Sequence, residues 1–233
     1  MQYRIISVGV TLALFAGCAS AKVTESVSYQ GPKLQRPARI LVYDFTSNLD
    51  DMPDISPMKR QLTLFNEGLT PEQVEAGKKL GAQISSDLAA KIRDMGLTGV
   101  KALRMTQPKP GDLVIRGYFL TLKEGSASER MALGFGSGKS ELKVRVEGYQ
   151  MTSSGLKYLA GGEGDASSGK TPGAAVGVGV AIATANPIGL IVGAAAKGAG
   201  EVTGSETISG ASDRITKLVA AKLQAAFERQ GWI

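Results

Sequence analysis

From Thr171 to Ala196 the chain carries no charged residue, and a fold that left this stretch alone in water would expose an untenable run of apolar side chains. It reads TPGAAVGVGVAIATANPIGLIVGAAA, and Lys197 is the first charge after it. Gly173 and Gly177 stand four apart, as do Gly189 and Gly193, with Ala174, Ala181 and Ala185 between them. Small residues at that spacing let two helices approach closely. Asn186-Pro187 divides the stretch, because an asparagine followed by proline favours a turn. Each arm is about twelve residues, roughly 18 Å as helix against a hydrocarbon core near 30 Å, so one arm alone does not span a bilayer. Three readings stay open: a close-packed helical hairpin lying on the domain or on a membrane, a surface for self-association, and one kinked crossing. A flexible glycine loop would explain the glycines but not Val176, Val178, Val180, Ile182, Ile188, Leu190, Ile191 and Val192.

What precedes and follows this stretch has globular periodicity. ARILVYDF, Ala38 to Phe45, is a buried-strand pattern, and Thr46 to Leu69, with Pro53 and Pro57, reads as a long loop. Its carboxylates Asp50, Asp51 and Asp54 lack the glycine and terminal glutamate of a calcium loop and are read as solvated; no metal is expected. Thr70-Pro71-Glu72-Gln73 starts a helix: Thr70 caps, Pro71 suits the first turn and Gln73 completes a capping box. Val74, Leu80, Ile84, Leu88 and Ile92 then recur at helical spacing until Gly96. Strands are predicted at Gly99 to Met105, Asp112 to Leu122, Glu141 to Met151 and Gly155 to Ala160. In the third of these Leu142, Val144 and Val146 alternate with Lys143, Arg145 and Glu147, which predicts one face in water. A closing helix from Ser212 to Gln230 carries the stripe Ile215, Leu218, Val219, Leu223, Phe227, with Gly231 as its cap. The fold class is therefore α+β: a small, mostly antiparallel sheet with helices on one face, plus the Gly/Ala-rich apolar segment at 171–200.

The N-terminus has the form of an export signal. Arg4 gives a short charged start, and Ile5 to Ala16 form an apolar core of about a dozen residues, too short to cross a bilayer. It closes on Leu14-Phe15-Ala16-Gly17-Cys18, which resembles a bacterial lipobox with Phe15 where leucine is usual. The small residues Ala16 and Gly17 admit the backbone to a peptidase, and the Cys18 thiol can take a lipid thioether. This reading gives a lipoprotein signal peptide at 1–17, a polar tether at 18–37 and one α+β domain at 38–232. A rival is cleavage after Ala19-Ser20-Ala21, which would discard Cys18 and release a soluble protein. By resemblance to sorted lipoproteins, Ala19 directs the chain to the outer membrane, facing the periplasm. Deleting residues 173 to 197 from a non-lipidated variant is expected to release the protein from an oligomer or a membrane fraction; unchanged elution and fractionation would refute an associating role.

Absences exclude whole chemistries. There is no histidine, so Ser-His-Asp triads and histidine metal ligands are out; with Cys18 as the single cysteine there is no internal disulfide and no thiolate cage. The net charge of +6 is scattered along the chain, without the clustered basic stripe of a nucleic-acid surface. Gly164-Asp165-Ala166-Ser167-Ser168-Gly169-Lys170-Thr171 matches a phosphate-binding loop. Pro172, however, removes an amide that such a loop needs, and no metal-binding aspartate strand follows. Nucleotide binding is kept as a remote alternative only, and neither cofactor nor nucleic acid is expected.

Ser128-Glu129-Arg130, then Gly134-Phe135-Gly136-Ser137-Gly138-Lys139-Ser140-Glu141-Leu142 and the strand Val144-Arg145-Val146, resemble the signature of bacterial lipoproteins of domain of unknown function 4410. Arg36-Pro37, the 185–193 run ANPIGLIVG and the ending Phe227 to Trp232 look like the same family. The resemblance implies an envelope lipoprotein and carries over no catalytic residues. The chain is read as a non-enzymatic binding or scaffold module at the outer membrane, held by its lipid, with a homo-oligomer or an envelope protein as candidate partners. The alternative is an oligomeric envelope component in secretion or membrane permeability.

Overall fold

Leu80, Ile84, Leu88 and Ile92 do share one helix face, and at most 8% of any of them is exposed. The computed structural model describes residues 21–62, 71–123, 140–166 and 208–233. Along the chain these form β1 (Lys22–Val27), β2 (Ile40–Tyr43), a 3-10 turn (Leu49–Asp51), α1 (Pro57–Leu62), α2 (Pro71–Asp94), β3 (Gly99–Ala102), β4 (Leu113–Lys123), β5 (Glu141–Thr152), β6 (Gly155–Asp165) and α3 (Ile208–Gln230). The described strands make one sheet in the order β1-β6-β5-β4-β2-β3. β2 runs parallel to β3 and β4; the pairs β4–β5, β5–β6 and β6–β1 are antiparallel. The α+β class and the mostly antiparallel sheet are as the patterns predict.

Both long helices pack on one face of the sheet. Ile40, Val42, Ile115, Leu142 and Val144 meet Ile84 and Leu88 of α2 and Ile215, Val219 and Phe227 of α3 in a single core. Burying each large aliphatic side chain contributes about 1.5–3 kcal/mol, which makes this layer the main source of stability. Gly96 (φ 80°) and Gly231 (φ 74°) end the helices in the left-handed conformation that their placement predicts. The Gln73 amide donates to the Leu122 carbonyl at 2.8 Å, tying the start of α2 to β4; its expected partner Thr70 lies outside the described residues.

Three segments depart from the sequence reading. Residues 22–27, inside the stretch read as a tether, form an edge strand on β6, held by backbone pairing with a register shift between Val23 and Glu25. The loop read at 46–69 contains α1, whose start is capped by the Ser56 hydroxyl accepting from the Lys59 amide at 3.2 Å. Finally, the second face of the sheet is not open to water. Leu41, Tyr43, Val114 and Tyr149 form a smaller core there, and Met52 and Met58 from the 46–62 segment cover Tyr118 beside it. Arg145 is 3% exposed and Glu147 is fully buried, so the wet face predicted for β5 holds for Lys143 alone.

Candidate functional site

Glu147 sits at the centre of the polar group under the 46–62 segment. The Ser56 hydroxyl donates to its Oε2 at 2.7 Å, the Tyr149 hydroxyl donates to the same oxygen, and the Met58 amide reaches Oε1 at 3.4 Å. Arg145 approaches Glu147 at 3.7 Å and Glu163 at 3.6 Å. Strand alternation explains the grouping, since residues 145, 147 and 149 of β5 share a face. A buried carboxylate costs a great deal unless it is paired and hydrogen-bonded, and here it is both. Burial pushes the Tyr118 phenol far above the ordinary tyrosine range, and the Glu147 charge adds to it. Burial does the same to Tyr149, with Tyr118 and the Glu147 hydrogen bond as further causes. Both phenols are therefore neutral. The group is closed over by Met52, Met58 and Tyr118, and serves to clamp the 46–62 segment to the sheet.

Two of the three loop carboxylates are taken up in ion pairs, while among the described residues no pair involves Asp50. Asp51 accepts from Thr46 and meets Arg104 at 3.1 Å, while Asp54 is held by Lys59 at 2.7 Å, which keeps its carboxyl below the usual range. Among the described residues no three carboxylate, cysteine or histidine side chains are grouped so as to hold a metal ion. Arg39 pairs with Asp112 and so ties the start of β2 to β4, while the Arg116 guanidinium lies 4.0 Å over the Tyr43 ring.

Of the sites predicted from sequence, Cys18, Gly173, Gly177, Gly189 and Gly193 all lie outside the described residues, as do Arg130 and the glycines 134–138. The phosphate-loop pattern begins inside β6. Gly164 pairs with Val144 and Val23, and a side chain there would meet Ile215 at 3.1 Å and Leu218 at 3.3 Å. That glycine admits α3 to the sheet, and the remaining positions 167–171 are outside the described residues.

The strand register brings several chain crossings to one end of the sheet. Lys22, the first residue of β1, pairs with Asp165, which pairs with Lys143; two residues further, Glu141 pairs with Lys123. The Arg214 guanidinium donates to the Ala166 carbonyl at 3.0 Å, which sets the start of α3 at the same end. The flanks of 124–139 and of 167–207 thus stand beside the start of β1.

The described residues form an α+β domain in which six strands make a mixed sheet, with two long helices on one face and a short covering segment on the other. The chain belongs to the family described as domain of unknown function (DUF4410), whose model matches residues 40–185. No curated protein matches it. Similar solved structures include the PelC dodecamer from Paraburkholderia phytofirmans in space group P6, at 15% identity and a TM-score of 0.36 over 64% of this chain and 82% of that one. The hypothetical protein CT253 from Chlamydia trachomatis is similar at 12% identity and a TM-score of 0.34 over 81% and 96%. Overlaps this loose carry no information on function.

Proposed function

We propose that the protein is a non-enzymatic binding or scaffold module of the cell envelope, held at the periplasmic side of the outer membrane by a lipid on Cys18. The observation that carries this reading is the gathering of chain crossings at one end of the sheet. Cys18 stands four residues before Lys22, a reach of at most about 14 Å in extended chain. A lipid there would hold that end against a bilayer. The flanks of the glycine-rich 124–139 connection and of the apolar 167–207 connection would face the same surface, available to lipid, a second copy or an envelope partner. The closed polar group around Glu147 supports the non-enzymatic part, since a substrate has no path to a carboxylate with no exposed surface.

Metabolic labelling with palmitate tests the anchor. The wild type is expected to take label and fractionate with outer membrane, and Cys18→Ser is expected to lose both. An unlabelled, soluble wild type starting at Lys22 would instead establish cleavage after Ala21 and overturn the proposal.

A further inference from the structure

Small residues open a groove between the sheet and α3. On the face that carries α3, Val144 and Val146 of β5 are followed by Gly148, and β6 sets Gly164, Gly162 and Ala160 opposite them. A side chain at Gly148 would touch nothing nearer than the Ala160 carbonyl at 3.8 Å. Where the sheet would normally fill the space under a helix with branched side chains, it leaves a cavity of about 320 Å³. Ile115, Val146 and Leu159 line it from the sheet, and Leu223, Phe227 and Trp232 line it from α3 and the turn beyond. A cavity of about 300–1,000 Å³ with apolar walls and few polar groups suits a small ligand. A peptide helix, roughly 10 Å across, is too wide for it.

The charges at the rim select among small ligands. Lys222 and Arg229 border the groove, both exposed, and neither has an ion pair among the described residues. Glu163 is among the lining residues, but strand alternation turns its side chain to the other face of the sheet, where it meets Arg145 at 3.6 Å. Glu147 likewise lines the groove only from its strand position, since its carboxylate is fully buried on the opposite face with Ser56 and Tyr149. The rim is left with unspent positive charge above an apolar trough. We propose that this groove binds a single-chain anionic amphiphile, a long-chain carboxylate, with its aliphatic chain along Leu159, Leu223 and Phe227 and its head group at Lys222 and Arg229.

Trp232 is the only tryptophan of the chain and lines the groove, so it reports directly on occupancy. The test titrates the full chain carrying Cys18→Ser, which excludes a covalent lipid at that residue, with a bromine-substituted long-chain carboxylate below its micelle concentration. Saturable quenching of Trp232 is expected, weakening about fourfold for each methylene removed from the chain. The brominated alcohol of equal length is expected to bind at least tenfold more weakly. Lys222→Glu with Arg229→Glu, both on the surface and so harmless to folding, is expected to bring the carboxylate down to the level of the alcohol. Ala160→Leu, filling the floor, is expected to abolish quenching by both. Absent quenching in the unsubstituted groove, or equal affinity for acid and alcohol, overturns the proposal. So does quenching that appears only once residues 173–197 are deleted, which would identify the chain's own apolar segment as the occupant.

Discussion

Gly117→Ala is expected to cost about 3 kcal/mol of folding stability, an unusually large penalty for adding one methyl group. A side chain at Gly117 would stand 2.3 Å from the Phe45 ring, and Phe45 itself is 2% exposed. The residue is clamped from both sides. The Thr46 amide donates to the Gly117 carbonyl at 3.0 Å, and the Phe45 amide donates to the Gly81 carbonyl at 3.3 Å. Gly81 lies in α2, and a side chain there would meet the Phe45 carbonyl oxygen at 2.0 Å. Glycine to alanine inside a helix ordinarily gains about 1 kcal/mol by propensity, so a loss at Gly81 reverses the usual sign. The two clashes are separable. Trimming the ring with Phe45→Leu is expected to recover part of the Gly117→Ala loss and none of the Gly81→Ala loss, where backbone is struck. Urea unfolding midpoints of the three single variants and of the two double variants with Phe45→Leu check this; a neutral Gly117→Ala would mean that Phe45 does not fill that space.

Glu147→Ala is expected to lose about 3–5 kcal/mol, the cost of removing one member of a buried, hydrogen-bonded charge pair. Arg145 would lose one of its carboxylate contacts, and the Tyr149 and Ser56 hydroxyls would lose their shared acceptor. The paired change Arg145→Met with Glu147→Met is expected to recover part of that loss, because no buried charge then remains. The damage should be local as well as global. Ser56 and Met58 are held by Glu147, so protease cleavage within 46–62 is expected to precede unfolding in Glu147→Ala. A loss below about 1 kcal/mol would show that these charges reach water, as exposed pairs do.

The helical layer was legible because its signals are local. The stripe from Leu80 to Ile92 and the positive φ at Gly96 and Gly231 follow from spacing and glycine placement alone. What escaped reading depends on residues distant in sequence. Alternation showed that Lys143, Arg145 and Glu147 share a face of β5, but it carries no information on what covers that face. The cover comes from Met52, Ser56 and Met58, roughly ninety positions away, and a polar face can be buried once its charges are paired. β1 was hidden for a similar reason: an edge strand needs few apolar residues, and its partner β6 is far along the chain. The groove beside α3 was the least legible feature, since Gly148, Ala160 and Gly162 become one surface only through the β5–β6 register. The predicted lipid and glycine positions fall outside the described residues and gain nothing from the fold.

The crossover pattern divides the domain into two poles with different tolerance for change. The pole opposite Lys22 carries a tight turn at Gly155, the Lys109–Asp112 turn, and residues 230–232, where Trp232 donates to the Leu34 carbonyl at 3.1 Å and Gln230 accepts from the Leu34 amide. A reporter protein fused after Ile233 would therefore sit on the pole away from any surface that holds residue 18, and its brightness or enzymatic activity would read the compartment without obstructing docking. The same fusion placed between Lys123 and Glu141 would stand in the way. Comparing the two fusions in living cells converts the strand register into a map of which side of the molecule is occupied.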